Sequence, residues 1–372
     1  MKIRGVCMLL ALLLLTGCWD QRQFKDVKLV LAKGFDQSEN GKIIETVSIP
    51  SVERGGDGPG QEHVQIISTE ADSVRDAREK IDQTISNSFD PAKLQSILIG
   101  SDLAKKGIYP ILDDFYRNPD NNLNSYLALV DGKARDVISL QNPTEVRISK
   151  YISGLLDALV TSTHFTGKNL QNICSDLIEP GRDFTLPILT VIEGPQLIKY
   201  QGLALFHGDV YTGESLNPAQ SELLMLLEGY KGKFARLTKK VEEHENNQLL
   251  DYLTFNVMKV KQKLTISAKG SEVSAKIDLN MRVRVVEFPS NHLDSPAKVK
   301  KLDKILSKEL TKDAEELLQT VQEANSDVFA IGRQVKAYHP EVWGKLDWDK
   351  TFPKIKIEPN VTIDIQETGV IN

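Results

Sequence analysis

The chain has 372 residues, a net charge of −5 and 26% charged residues, with acidic and basic side chains interleaved. That balance leaves no basic face of the size nucleic acids require, and the length exceeds one typical core, so two or three domains are expected. Only three cysteines are present, Cys7, Cys18 and Cys174.

In chain order, the first signal is N-terminal. Lys2 and Arg4 precede an apolar run from Val6 to Leu15. The run is about half the ~20 residues a membrane-spanning helix needs, and its charge order is that of a secretory signal. It ends in Leu15-Thr16-Gly17-Cys18, which resembles the bacterial lipobox. The resemblance implies cleavage before Cys18 and attachment of S-diacylglycerol and N-acyl lipid to that residue. Residues 1–17 are then a signal peptide and 18–26 a lipidated tether. Two acyl chains hold a protein stably on a bilayer, since each buried methylene contributes ~0.8 kcal/mol. Trp19 is a candidate membrane-interface contact, because Trp favours the headgroup region; packing on the folded domain is the alternative. With Cys7 in the signal and Cys18 lipidated, Cys174 has no disulfide partner within the chain. It lies in the apolar stretch Leu170 to Ile178 and reads as a small buried residue.

Beyond the tether, strands are expected over Val27 to Phe35, Lys42 to Pro50, Val64 to Thr69, Leu94 to Ile99 and Ser125 to Val130. Helices are expected in the interval holding Val74, Ala77, Ile81 and Ile85, and over Leu103 to Arg117. Residues 144–179 look helical, and Phe184 to Ile192 strand-like. This pattern predicts a mixed-sheet α/β domain over 27–195, bounded near Pro195. The second domain, 196–372, opens with a hairpin signature around His207-Gly208-Asp209 and a helix from Pro218 to Leu227; residues 196–250 are open to reading as a small subdomain. From Val273 to Val285 every odd position is apolar and every even one polar, the mark of a strand with one buried face. Leu253 to Ser267 is expected to pair with it, and Val361, Ile363 and Ile365 mark another strand. Between them Leu302, Leu306, Leu310, Ala314, Leu317, Val321, Ala324, Val328, Ile331 and Val335 recur at helical spacing. The expectation is a multidomain α+β chain: an N-terminal mixed-sheet α/β domain, then an antiparallel sheet packed on one long amphipathic helix.

Candidate chemistry is sparse. The glycine loop at 55–60 lacks the Gly-Lys-Ser/Thr that holds phosphates. The six histidines are scattered, with none at metal-ligand spacing from a second His or Cys. Ser295-Pro296-Ala297-Lys298 matches one element of penicillin-recognising enzymes without its companions, and reads as a helix start. No catalytic, cofactor-binding or metal-binding residue is assigned, and no cofactor is expected.

Gly17-Cys18-Trp19-Asp20 resembles the opening of the Ger(x)C family of spore germination lipoproteins. Gln201-Gly202-Leu203-Ala204-Leu205-Phe206 with Gly208-Asp209 and Gly213-Glu214 resembles the family's hairpin. Asp327-Val328-Phe329-Ala330-Ile331-Gly332 resembles its Asp-x-Phe-Gly-x-Gly ending, with Ala330 in place of a glycine. Gly34-Phe35-Asp36 stands where the family has Gly-Ile-Asp, Gln23 replaces a glutamate, and Trp343 and Trp348 fall where tryptophans are common. The resemblance covers the whole chain. It implies a non-enzymatic C subunit of a nutrient germinant receptor, working with A- and B-type subunits on the outer face of the spore inner membrane, with direct small-molecule binding not expected. The alternative reading is a solute-binding lipoprotein, which predicts two similar α/β lobes around a cleft; a wall-active enzyme would require a carboxylate pair or metal site.

Overall fold

The computed structural model describes residues 27–368 apart from 54–60, 142–144, 193, 195, 246, 271, 291–292 and 294. The signal, Cys18, Trp19, the 55–60 loop, His292 and Pro195 lie outside the described residues.

A short strand β1 (Val27–Leu29) pairs in parallel with β5 (Ser88–Asp90). The main sheet of the first half has eight strands: β2 (Ala32–Gln37), β3 (Ile43–Glu53), β4 (Gln61–Ala71), β6 (Ser96–Gly100), β7 (Tyr126–Val130), β8 (Thr185–Ile192), β9 (Leu197–His207) and β10 (Val210–Leu216). Their spatial order is β10-β9-β8-β7-β6-β2-β3-β4. The centre, β2-β6-β7-β8, is parallel, and an antiparallel hairpin closes each side. Parallel strands must be covered on both faces, and β6, Ser-Ile-Leu-Ile-Gly, is buried at every position. The covering helices are α1 (Val74–Asp82), α2 (Ser101–Ala104), α3 (Tyr109–Arg117), α4 (Ala134–Ile138), α5 (Ile148–Thr161) and α6 (Leu170–Ile178). Leu103 to Arg117 is two helices, broken at Gly107 with φ +107°. The 144–179 stretch is likewise divided, at Thr163 and Gly167, both at positive φ.

The sheet continues past residue 195: β8 and β9, on either side of it, are antiparallel neighbours. Gly202 makes the return possible. A Cβ there would lie 1.8 Å from the Leu216 carbonyl oxygen, so only glycine lets β9 pass beneath the chain entering α7 (Pro218–Leu227). Helix α7 starts on a reciprocal capping box between Asn217 and Gln220. Every residue from Ser221 to Leu227 is buried, as a helix between two layers must be.

The second half is a four-stranded sheet, β11 (Arg236–Lys240), β12 (Tyr252–Lys269), β13 (Glu272–Glu287) and β14 (Lys356–Glu367), in that order. The odd face of Val273 to Val285 is buried, and the inward side of α8 (Pro296–Glu323), including Leu302, Leu306 and Leu310, lies in the same apolar core. β12 and β13 are antiparallel, but β14 joins β13 in parallel. Helix length explains this departure from a purely antiparallel sheet. α8 has 28 residues, spanning about 42 Å, and so carries the chain back along most of the 16-residue β13. The next strand then starts at the end where β13 started.

α8 also closes the outer edge of β14. Thr311 Oγ1, Ser307 Oγ and Asp303 Oδ1 accept from the N–H groups of Val361, Ile363 and Ile365, at 3.1, 2.9 and 2.9 Å. Four helix residues advance ~6 Å and two strand residues ~6.6 Å, so the two ladders keep step. The helical run does not continue to Val335. It stops at Ala324, the chain turns through Asn325 with φ +51°, and a separate helix α9 (Ile331–Tyr338) follows. Two one-turn helices, α10 (Pro340–Trp343) and α11 (Trp348–Thr351), lead into β14. One core extends from Leu98, Leu156 and Leu205 in the first half to Ile277, Leu306 and Ile363 in the second, while a second core lies on the other face of the large sheet around Phe35, Leu112 and Phe206.

Candidate functional site

Three of the stretches singled out in the sequence meet at one place, the junction where α8 ends against the large sheet. Asp183, just before β8, accepts from Gly208 N through Oδ1 and from Asp327 N through Oδ2, each at 2.7 Å. Its own N–H donates to the Asp327 carbonyl at 3.0 Å. Asp327 in turn accepts from Ile331 N at 2.9 Å, Gly332 N at 2.7 Å and Trp348 Nε1 at 3.1 Å. The hydroxyl of Ser326 donates to the Phe206 carbonyl. The 207–208 turn, the 327–332 turn and Trp348 are thus tied through two buried carboxylates.

Gly332 is required sterically. A Cβ there would sit 2.5 Å from the Trp348 indole and 2.7 Å from the Gly181 Cα. The two glycine backbones lie face to face, and Arg333 N donates to Gly181 O at 2.8 Å. Ala330 has φ +56°, the left-handed region that favours glycine. A non-glycine residue there costs roughly 1 kcal/mol, which gives the glycine of the resembled motif its physical reason.

The electrostatics follow from burial. Asp327 is 1% exposed, and desolvation pushes its carboxyl up to about 7 against the pull of Gly332, Ile331 and Trp348. His207 lies 3.6 Å from Asp183 and 3.9 Å from Asp349. The nearer contact is longer than a normal hydrogen bond, and the attraction of Asp183, with a smaller contribution from Asp349, raises the imidazole pKa.

The other motif residues are also joints. The Asp36 carboxylate accepts from Ala134 N and Arg135 N at 2.7 and 2.9 Å, so the Asp of Gly34-Phe35-Asp36 starts α4. Asp209 accepts from Tyr109 N at 3.0 Å at the start of α3. Glu214 is exposed and joins no such contact. Trp343 packs on Trp348 at 5.6 Å. Cys174 is a half-buried free thiol, and burial raises its pKa, away from the reactive thiolate.

One further buried group was not singled out by sequence reasoning. Lys33 and Glu45 form a 2.9 Å ion pair with side chains 2% and 0% exposed. The ammonium lies 4.6 Å from the Phe89 ring centroid and 5.1 Å from that of Phe115. A lysine inside the apolar strand Val30-Leu31-Ala32-Lys33-Gly34-Phe35 was the available signal. Among the described residues no group of three His, Cys, Asp or Glu side chains is placed to hold a metal ion.

The fold and this junction define a two-part α+β scaffold welded through a shared core, whose motif residues fix backbone crossings. Comparison with known proteins gives the family. Residues 20–191 match the spore germination protein N-terminal domain, and residues 201–369 match the spore germination B3/GerAC-like C-terminal domain. The chain belongs to the Ger(x)C family of spore germination proteins. It is 22% identical to the spore germination protein GerQC of Bacillus cereus, covering 99% of each chain. It is 21% identical to the spore germination protein KC of Bacillus subtilis (strain 168), covering 99% of this chain and 96% of that protein. The crystal structure of the GerBC protein superposes with a TM-score of 0.56 at 20% identity, covering 90% of this chain and 97% of that one.

Proposed function

We propose that this protein is a lipid-anchored subunit of a spore germinant receptor, held at Cys18 on the outer face of the spore inner membrane. It acts by docking with A- and B-type subunits and catalyses no reaction. The observation that carries this reading is Leu15-Thr16-Gly17-Cys18 directly ahead of a chain that matches spore germination domains over residues 20–191 and 201–369. No helix among the described residues is long and apolar enough to cross a membrane. The lipobox-like Leu15-Thr16-Gly17-Cys18 supports attachment through acyl chains. Trp19 is proposed to seat the tether among the headgroups. The solute-binding alternative expects two similar lobes parted by a cleft, whereas here one core runs through two unlike halves.

Lipidation is tested by Cys18→Ala in cells fed a labelled fatty acid. The wild-type chain is expected to take up label and sediment with membranes, and the variant to do neither. Label persisting in the variant, or unchanged membrane attachment, contradicts the assignment.

A further inference from the structure

The four-stranded sheet has two edges, and they are finished differently. The N–H groups on the outer edge of β14 are occupied by Asp303, Ser307 and Thr311 of α8. The edge of β12 is covered for only part of its length. β11 pairs with Tyr252 to Asn256, and Val257 N donates to Ala235 O. From Met258 to Lys269, no described residue hydrogen-bonds to the backbone groups that point away from β13. The strand is nonetheless held extended, because Val260, Leu264 and Ile266 are half-buried against the core.

The charges on the solvent face of this sheet are also uneven. On β13 and β14 the cations have carboxylate partners: Lys276 with Asp278 at 2.8 Å, Arg282 with Asp364 at 3.8 Å, Arg284 with Glu367, and Lys356 with Glu358. On β12, Lys263 stands opposite Asp278 in the ladder. Lys259 and Lys261 are exposed and have no ion-pair partner among the described residues, and Lys259 stands opposite Arg282. The unbalanced positive charge is therefore concentrated on the open edge. Lysines at an edge repel indiscriminate pairing, and they favour an incoming strand that carries carboxylates.

We infer that the edge of β12 from Met258 to Lys269 docks an extended acidic segment of a partner protein by strand addition. The partner's backbone pairs with the open amides, and its carboxylates meet Lys259 and Lys261. The inference builds on the docking role proposed above, while its test needs no receptor.

The full chain in detergent is mixed with a short peptide alternating valine and glutamate, and amide hydrogen exchange is followed. Slowed exchange within 258–269 is expected, with no such effect from a peptide alternating valine and lysine. Lys259→Glu/Lys261→Glu should weaken binding of the glutamate peptide about tenfold and shift preference to the lysine peptide. Lys300→Glu/Lys301→Glu, on the exposed start of α8, should leave it unchanged. Protection that is absent, equal for both peptides, or located at β4 on the large sheet overturns the inference. Receptor capture succeeding while this experiment fails would remove the edge and leave the docking role standing.

Discussion

Asp327→Ala is expected to destabilise the protein by about 3–5 kcal/mol, the range for removing one partner from a buried charged network. The substitution leaves the N–H groups of Ile331 and Gly332 and the indole N–H of Trp348 without their acceptor. Each is buried, and an unsatisfied buried donor costs roughly 1–3 kcal/mol. Urea unfolding followed by tryptophan fluorescence measures the loss. A pH dependence accompanies it. The folded-state pKa of Asp327, about 7, exceeds its ordinary value of 3.8, so the folded state binds the proton more tightly. Its contribution to stability is greatest below pH 4, falls as pH rises from about 4 to about 7, and is level above that. His207 adds in the same direction. Its pKa is raised, so its contribution is complete below the ordinary histidine pKa and is lost as pH rises through the raised value. The protein should therefore be more stable at pH 5.5 than at pH 8, and Asp327→Asn should flatten part of that slope, the rest remaining with His207 and with Glu222, whose carboxyl burial also pushes up to about 7. A loss below about 1 kcal/mol for Asp327→Ala, or a slope unchanged in Asp327→Asn, would contradict the junction as described.

The second large effect concerns the buried ion pair. Lys33→Met is expected to cost about 3–5 kcal/mol, because it strands the Glu45 carboxylate in an apolar layer. Lys33→Met/Glu45→Leu should recover most of that loss. Among the described residues no well-formed hydrogen bond reaches either Glu45 carboxylate oxygen, so a packed apolar pair can match the native one. Burial already raises the Glu45 pKa despite Lys33. With Lys33 gone it rises further, so the single variant should regain stability as pH falls and Glu45 takes up a proton. A double variant as unstable as the sum of its singles would show that shape, and not charge pairing, holds this layer.

The junction and the ion pair differ in how far sequence could reach them. The alternation from Val273 to Val285 and the spacing from Leu302 to Val321 follow from one buried face each, so both elements and their packing were legible. The parallel entry of β14 was not, because it depends on how far α8 reaches relative to β13. The breaks at Gly107, Thr163 and Asn325 were missed because apolar spacing carries across a positive-φ turn without interruption. The hairpin of β9 and β10 read as the opening of the second half, since pairing between β8 and β9 leaves no local mark. The junction motifs were legible as residues through family resemblance, but their purpose was not. Asp183 and Asp327 stand 144 positions apart, and nothing in either segment distinguishes a buried carboxylate from the many exposed ones.

The folded chain is proposed to serve as a docking subunit on a membrane. Affinity capture of the tagged full chain from detergent-solubilised spore membranes tests it most directly. A- and B-type receptor subunits are expected to co-purify with the wild-type protein and to be depleted with Cys18→Ala, with the circular dichroism of that variant unchanged. Recovery of the wild-type chain without those subunits, together with tight calorimetric binding of a germinant to the full chain alone, would contradict the docking role and favour direct nutrient capture.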